Sequence, residues 1–153
     1  MALSRFNDKI FTIINRIPKS ADSAQVAEWV KNTLRQCDKQ SGISGGKTDQ
    51  TVTFKANSWT VWLADWQRYK EPNRSEDGYY TLSNRNGYYT VCPGDLLIFA
   101  DIPDNAPTNE QQFQKLAAKY KNMGGVITSA QAYINFKANG EPWRTNHIEA
   151  VKE

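Results

Sequence analysis

The side chains of this chain best suited to chemistry are flat rings gathered in one stretch. They are Trp66, Tyr69, the doublet Tyr79-Tyr80 and the doublet Tyr88-Tyr89, with Arg68, Arg74 and Arg85 among them and Trp59 and Trp62 just ahead. Such rings stack on nucleic-acid bases or cover sugar faces, and they anchor protein interfaces, where one end of the side chain is dry and the other wet. Charge ranks these options. A polyanion needs a surplus of cations, whereas Arg68, Lys70, Arg74 and Arg85 are offset by Asp65, Glu71, Glu76 and Asp77. The stretch therefore reads first as a contact surface for protein. Trp59 and Trp62 read as core or subunit-interface residues, and the tyrosine doublets line a loop contact. Single-stranded nucleic acid and glycan are the alternatives.

Bond-making chemistry has no comparable gathering of residues. The single histidine, His147, falls in an expected terminal strand with no cysteine or second histidine near it, and reads as hydrogen-bonded to a neighbour. Cys37 and Cys92 stand fifty-five positions apart without a CxxC pair. They fit neither a disulfide scaffold nor a zinc site, and read as free thiols in a reducing cytosol. Gly42 to Thr48 ends in the Gly-Lys-Thr of a phosphate loop, but three residues rather than four separate Gly42 from Gly46-Lys47. No GxSxG, HExxH, DxDxDG or GxGxxG occurs. No catalytic residue, cofactor or metal is expected, and the chain reads as a non-enzyme.

The elements that must carry the aromatic stretch are mostly strands. Lys9 to Arg16, apolar on both faces, reads as a strand ended by Pro18. Val26, Trp29, Val30, Leu34 and Cys37 recur at helical spacing behind a possible Ser23 cap, so periodicity alone favours a helix over residues 23–37. Ser41 to Gly46 is a loop, and Thr51 to Lys55 and Trp59 to Leu63 alternate as strands, a plausible hairpin. Trp66 to Gly87 is polar and without sustained period, long for a connection inside a compact domain, and reads as a projecting loop dispensable for folding. Tyr88 to Val91, the turn Cys92-Pro93-Gly94-Asp95 and Leu96 to Ile102 read as a hairpin. One helix spans about 108–122, with Thr108 as cap, Gln111 completing a capping box, and Gly124-Gly125 as its stop. Val126 to Phe136 and Arg144 to Val151 close the chain as strands around the turn Asn139 to Pro142. The sum is a mainly β, barrel-like α+β domain with one packed helix.

Composition bounds the rest. At 153 residues and 39% apolar side chains the chain can form one domain with a real core, without staples. The net charge of +3 arises within the first fifty residues, which hold eight Lys or Arg against five Asp or Glu. That gives a mildly basic edge rather than a basic stripe. The first nine residues lack the order of a signal peptide. The longest strongly apolar run, Leu96 to Ala100, is far short of a membrane span, so no membrane association is expected.

A resemblance adds to this reading. It is carried by Phe6-Asn7-Asp8-Lys9-Ile10, by Trp29 to Leu34 ending at Cys37, and by Gly87-Tyr88-Tyr89-Thr90-Val91 with Pro93-Gly94-Asp95. Asp101-Ile102-Pro103-Asp104, Leu116 and Tyr120, Val126 to Ala130, and the terminal His147-Ile148-Glu149-Ala150-Val151 complete it over nearly the whole chain. In the order of these segments the chain resembles small structural proteins of tailed phages and prophages of Gram-positive hosts, encoded between capsid and tail. The resemblance implies a head-closure or connector protein of the neck, assembled in the host cytoplasm and located in the virion. It implies a homo-oligomeric ring, hexamer or dodecamer, between portal or adaptor and tail proteins, with possible contact to channel DNA. It also implies extended chain over Trp29 to Cys37, and that expectation is followed over the periodicity. A tail terminator and a glycan- or receptor-contacting tail module are further alternatives.

Overall fold

The computed structural model describes residues 9–18, 26–41, 58–63, 66–72, 78–82, 85, 87–143 and 145–152. They contain six strands: β1 (Lys9–Pro18), β2 (Val26–Ser41), β3 (Ser58–Trp62), β4 (Leu96–Ile98), β5 (Gly124–Tyr133) and β6 (His147–Lys152). All neighbours are antiparallel in the order β1-β2-β3-β6-β5-β4, and β4 returns to β1 to close an uneven barrel. The one α-helix among the described residues is α1 (Glu110–Lys119). The fold is mainly β and barrel-like with one packed helix, as the pattern leads one to expect.

Side-chain alternation explains why β1 is apolar on both faces. Phe11 and Ile13 point into the barrel with Leu34, Val61, Leu97, Ile127 and Ile148. Ile14 faces outward with Trp29, Leu96 and Ile98 and is covered by Phe113 and Leu116 of α1. Trp29 stacks on Phe113 with ring centroids 5.9 Å apart and planes 24° apart. The wall made by β1, β2 and β4 is thus buried on both sides, inside by the barrel core and outside by the helix.

Residues 26–41 form a strand, so the helical spacing there has another cause. Lys9 pairs with Cys37 but Phe11 with Leu34, so β2 carries one extra residue at this point, and Gln36 takes φ 57°. This is a β-bulge. It returns Cys37 to the inner face three positions after Leu34, while Trp29 is buried on the outer face. Inner, outer and bulge-shifted positions together imitate a period near 3.6. The bulge also bends β2, whose first part pairs with β1 and whose end, Asp38–Ser41, pairs with β3.

Two expectations at element ends are corrected. Asn109, not Thr108, is the N-cap of α1: its side chain accepts from Gln112 N at 2.8 Å, while Gln112 Oε1 accepts from Thr108 N at 2.9 Å. Tyr88 to Val91 does not pair with β4 as a hairpin. Cys92-Pro93-Gly94-Asp95 is a tight turn, with Asp95 N donating to Cys92 O at 3.0 Å and Gly94 at φ 97°. Pro at the second and Gly at the third position suit a type II turn. The incoming chain, however, forms a parallel bridge from Tyr89 to Tyr69. The expected strand Thr51 to Lys55 and the Gly42 to Thr48 loop lie outside the described residues.

Connectivity gives the barrel two distinct ends. β3 and β4 are joined across one end by residues 63–95, and the β5–β6 connection emerges from the same end. At the other end α1 joins β4 to β5. No helix among the described residues is long and apolar enough to cross a membrane.

Candidate interaction surfaces

The residues first singled out, Trp66 to Tyr89, do not project as a whole: their described part folds back and closes one end of the barrel. Trp66 begins a short 3-10 turn and is buried, Tyr79 and Tyr89 are fully buried, and Trp66 and Tyr89 belong to the interior cluster. Backbone pairing holds the segment in place, with Lys70 N donating to Tyr89 O at 2.9 Å, Tyr89 N to Arg68 O at 3.0 Å and Tyr79 N to Glu71 O at 2.8 Å. Tyr69 packs edge-on between Trp66 and Tyr89, at centroid distances of 6.3 and 5.7 Å. These aromatics are plugs rather than a docking face. Burial raises the Tyr69 hydroxyl to about 12, and burial followed by the nearby Asp95 raises that of Tyr79.

The arginines of the stretch serve the same closure. Arg68 Nε donates to Gly87 O at 2.6 Å and its Nη2 to Asn32 Oδ1 at 3.0 Å, tying the segment to β2. Arg85 Nε and Nη2 donate to the carbonyls of Tyr79 and Tyr80 at 3.0 and 2.6 Å, and Nη1 lies 3.7 Å from Glu28. Both guanidiniums therefore satisfy backbone acceptors of the fold. Tyr80 and Tyr88 are half-buried, and Lys70 lies 5.2 Å from the Tyr88 ring. Arg74 lies outside the described residues. Composition conceals this arrangement, because a polar stretch can still bury one ring in every few residues.

The aromatics that do stand in solvent are elsewhere. Beyond Tyr133 and His147 the β5–β6 pair continues as an arm. Asn135 N donates to Asn146 Oδ1 and Asn146 Nδ2 to Asn135 O, both at 2.9 Å, with Asn146 buried at the root. Phe136 bridges Pro142, and Lys137 N donates to Glu141 O at 2.7 Å. The tip turns at Lys137 to Gly140, where Gly140 N donates to Lys137 O at 2.9 Å and Gly140 sits at φ 90°. Glycine supplies that left-handed position without strain.

Tyr133, Phe136 and Trp143 are 46%, 46% and 49% exposed along this arm. Alternation puts Phe136 and Lys137 on opposite faces, and Lys137 Nζ lies 5.3 Å from the Trp143 ring centroid. Tyr133 stacks on His147 at 4.9 Å and 22°, and His147 is anchored by Thr145 O at 2.9 Å and Glu149 at 3.4 Å. The histidine is thus the hydrogen-bonded strand residue that its setting suggests. Sequence reading expected a turn at Asn139 to Pro142, whereas the tip turns at Lys137 to Gly140 and Pro142 already bridges Phe136; it missed the arm as a surface because the three exposed rings are spread over eleven positions. The signal was an aromatic at Phe136 and at Trp143, on either side of the turn.

Chemically, this is a small closed antiparallel barrel with a plugged end and an aromatic arm. Among the described residues no three His, Cys, Asp or Glu side chains converge as metal ligands, and Cys37 and Cys92 are not joined in a disulfide. Compared with known protein families, curated proteins and solved structures, the chain matches none of them.

Proposed function

We propose that this chain is a non-enzymatic structural protein of the neck of a tailed phage, a head-closure or connector subunit that forms a ring between portal or adaptor and tail. The order of segments described above supports the phage reading. The observation that carries the structural role is the arm: Tyr133, Phe136 and Trp143 stand exposed on a hairpin that packs against the barrel core at its root, through Ile134, and leaves these rings in solvent. A ring repeats one heterologous contact until it closes, so each subunit needs a protruding face and a different receiving face. Aromatic residues that are dry in the complex and wet in the monomer suit the first.

Sedimentation velocity and negative-stain imaging of the purified chain at high concentration test this reading. Ring-shaped oligomers that revert to monomers in an F136S/W143S variant support it. A wild-type chain that stays monomeric and is missing from particles of its parent phage contradicts it.

One observation favours a second reading. Lys137 beside the exposed Trp143 ring is a cation-and-stacking pair of the kind that holds single-stranded nucleic acid. Glu141, whose backbone O accepts from Lys137 N across the tip, puts an acidic residue on the same short hairpin, which counts against a polyanion. Saturable quenching of tryptophan fluorescence by an oligonucleotide at physiological salt, lost in W143S, would favour the nucleic-acid reading over the ring.

A further inference from the structure

An arm that docks needs a receiving surface, and the helix side of the molecule carries one. Between α1 and the chain leading into it lies a groove of about 280 Å³, with Asp104 and Pro107 on one side and Gln112, Lys115, Leu116 and Lys119 of α1 on the other. Pro107 and Leu116 are buried and give it an apolar floor, while Lys115 and Lys119, four positions apart on one face of the helix, are exposed at its rim. The walls are tied together. Lys119 Nζ donates to Asp104 Oδ2 at 2.9 Å and the Tyr120 hydroxyl donates to Asp104 Oδ1. From β2, Lys31 Nζ donates to the carbonyls of Ile102 and Asp104 at 2.8 and 2.7 Å. A groove held in shape by such ties has little freedom left to lose when it is filled.

The volume falls short of the roughly 300 to 1,000 Å³ of small-molecule sites and suits one large side chain. The arm carries such a side chain in a matching setting. Lys137 N donates to Glu141 O, so these two residues stand opposite each other, and Trp143, two positions beyond Glu141, shares their face. Lys137 Nζ lies 5.3 Å from the Trp143 ring centroid, on that same face. This face thus presents an indole ring beside one cation and one carboxylate. The groove presents the complement, an apolar floor between the carboxylate of Asp104 and the ammonium of Lys115. Among the described residues neither Lys115 nor the Glu141 carboxylate has a partner of its own.

We infer that this groove receives Trp143 from the arm of a second copy of the chain, with Glu141 of the arm reaching Lys115 and Lys137 reaching Asp104. The inference rests on the reading of the arm as the assembly surface and names the surface it meets. Lys115 and Lys119 can lay their apolar stems along the indole and their ammonium groups over its face. The arm leaves the plugged end of the barrel, whereas Leu116 and the groove belong to the outer wall with Ile14, Trp29 and Leu96. The two surfaces are therefore different, and the contact is heterologous. Each subunit gives its arm to one neighbour and accepts the arm of another, which is the repeat a closed ring requires. A second copy suits the groove better than an unrelated protein because one chain carries both halves of the charge pattern.

Sedimentation velocity of the full chain tests this with K115E and E141K, each alone and the two mixed in equal amounts. Either variant alone sets like charges against each other, whereas in the mixture every arm finds a groove of opposite sign. We expect wild type to self-associate with a Kd of about 100 μM, each variant alone to be weakened about tenfold, and the mixture to return to within about threefold of wild type. Both positions are exposed, so melting temperatures should match wild type. If either variant fails to fold, K115Q and E141Q decide, each expected to weaken association about threefold. Wild type that stays monomeric at about 1 mM, variants that associate like wild type, or a mixture no more associated than its components overturns the inference. The neck reading fails separately. Charge-dependent self-association in a chain missing from phage particles defeats that reading alone, and K115E incorporated at wild-type copy number defeats the groove alone.

Discussion

Asn15 and Asp95, eighty residues apart in sequence, are joined inside the barrel by a 2.9 Å hydrogen bond from Asn15 Nδ2 to Asp95 Oδ2. The same oxygen accepts from Cys92 N at 2.9 Å, and Asp95 Oδ1 accepts from Arg16 N at 2.9 Å. Asn15 Nδ2 also donates to Thr90 O at 2.6 Å. One carboxylate therefore fixes the Cys92 to Asp95 turn against β1 and sets where β4 begins. The Pro-Gly-Asp sequence is a lock on the closed end rather than a hairpin loop.

This lock makes stability depend on pH. Burial pushes the Asp95 carboxyl up to about 7, against the hydrogen bonds from Arg16, Asn15 and Cys92, which pull it down. In the unfolded chain it titrates near 3.8. Between those values the folded protein holds a proton that the unfolded one has released, so this contribution is complete below 3.8 and is lost as pH rises through 7. The difference corresponds to about 4 kcal/mol. Melting temperature is expected to fall between pH 5 and pH 8, with the slope flattened in D95N. A wild-type profile no steeper than that of D95N over this range would exclude Asp95 as the cause.

Closure of the barrel through β4 and β5 depends on Gly124. A Cβ there would lie 2.0 Å from Leu97 O and 2.9 Å from Ile98 Cα, both backbone atoms that cannot rotate away. Gly124→Ala should therefore part the two strands and lower stability by about 1 to 3 kcal/mol or more, measured by urea denaturation. An unchanged midpoint would show that the strands do not approach so closely.

The two aromatic regions are expected to respond in opposite ways. Trp66→Ala removes a ring buried in the interior cluster and should reduce stability by about 3 to 5 kcal/mol. For the same reason deletion of residues 68–85, expected from composition to leave folding untouched, should destabilise the domain. It removes the fully buried Tyr79 and the Arg68 and Arg85 ties. Thermal denaturation of the two variants beside wild type distinguishes a plug from a dispensable loop.

Outside the barrel, Trp29 and Phe113 stack between β2 and α1. Phe113→Ala should cost about 3 kcal/mol or more and uncover Trp29, read as a red shift of its emission. If emission and stability stay at wild-type values, α1 does not cover that wall.

Much of the fold was legible in the sequence because its burial is simple. β1 shows both its faces as apolar, and α1 announces itself by the spacing of Phe113, Leu116 and Tyr120. What hid the rest was a change of rule within a segment. The bulge at Gln36 altered the period of β2, and a largely polar stretch concealed the buried Trp66, Tyr79 and Tyr89. The exposed rings were missed because clustering was read as exposure. In this molecule the clustered Trp66, Tyr79 and Tyr89 are inside and the dispersed Tyr133, Phe136 and Trp143 are outside.

The most direct test of the structural role is the number of copies of the chain in phage particles assembled with an F136S/W143S variant. It is counted by quantitative mass spectrometry beside the variant's own stability in solution. We expect folding stability within about 0.5 kcal/mol of wild type and near-complete loss of the chain from particles. A variant that folds normally and is incorporated at wild-type copy number would contradict the arm as the surface through which this protein assembles.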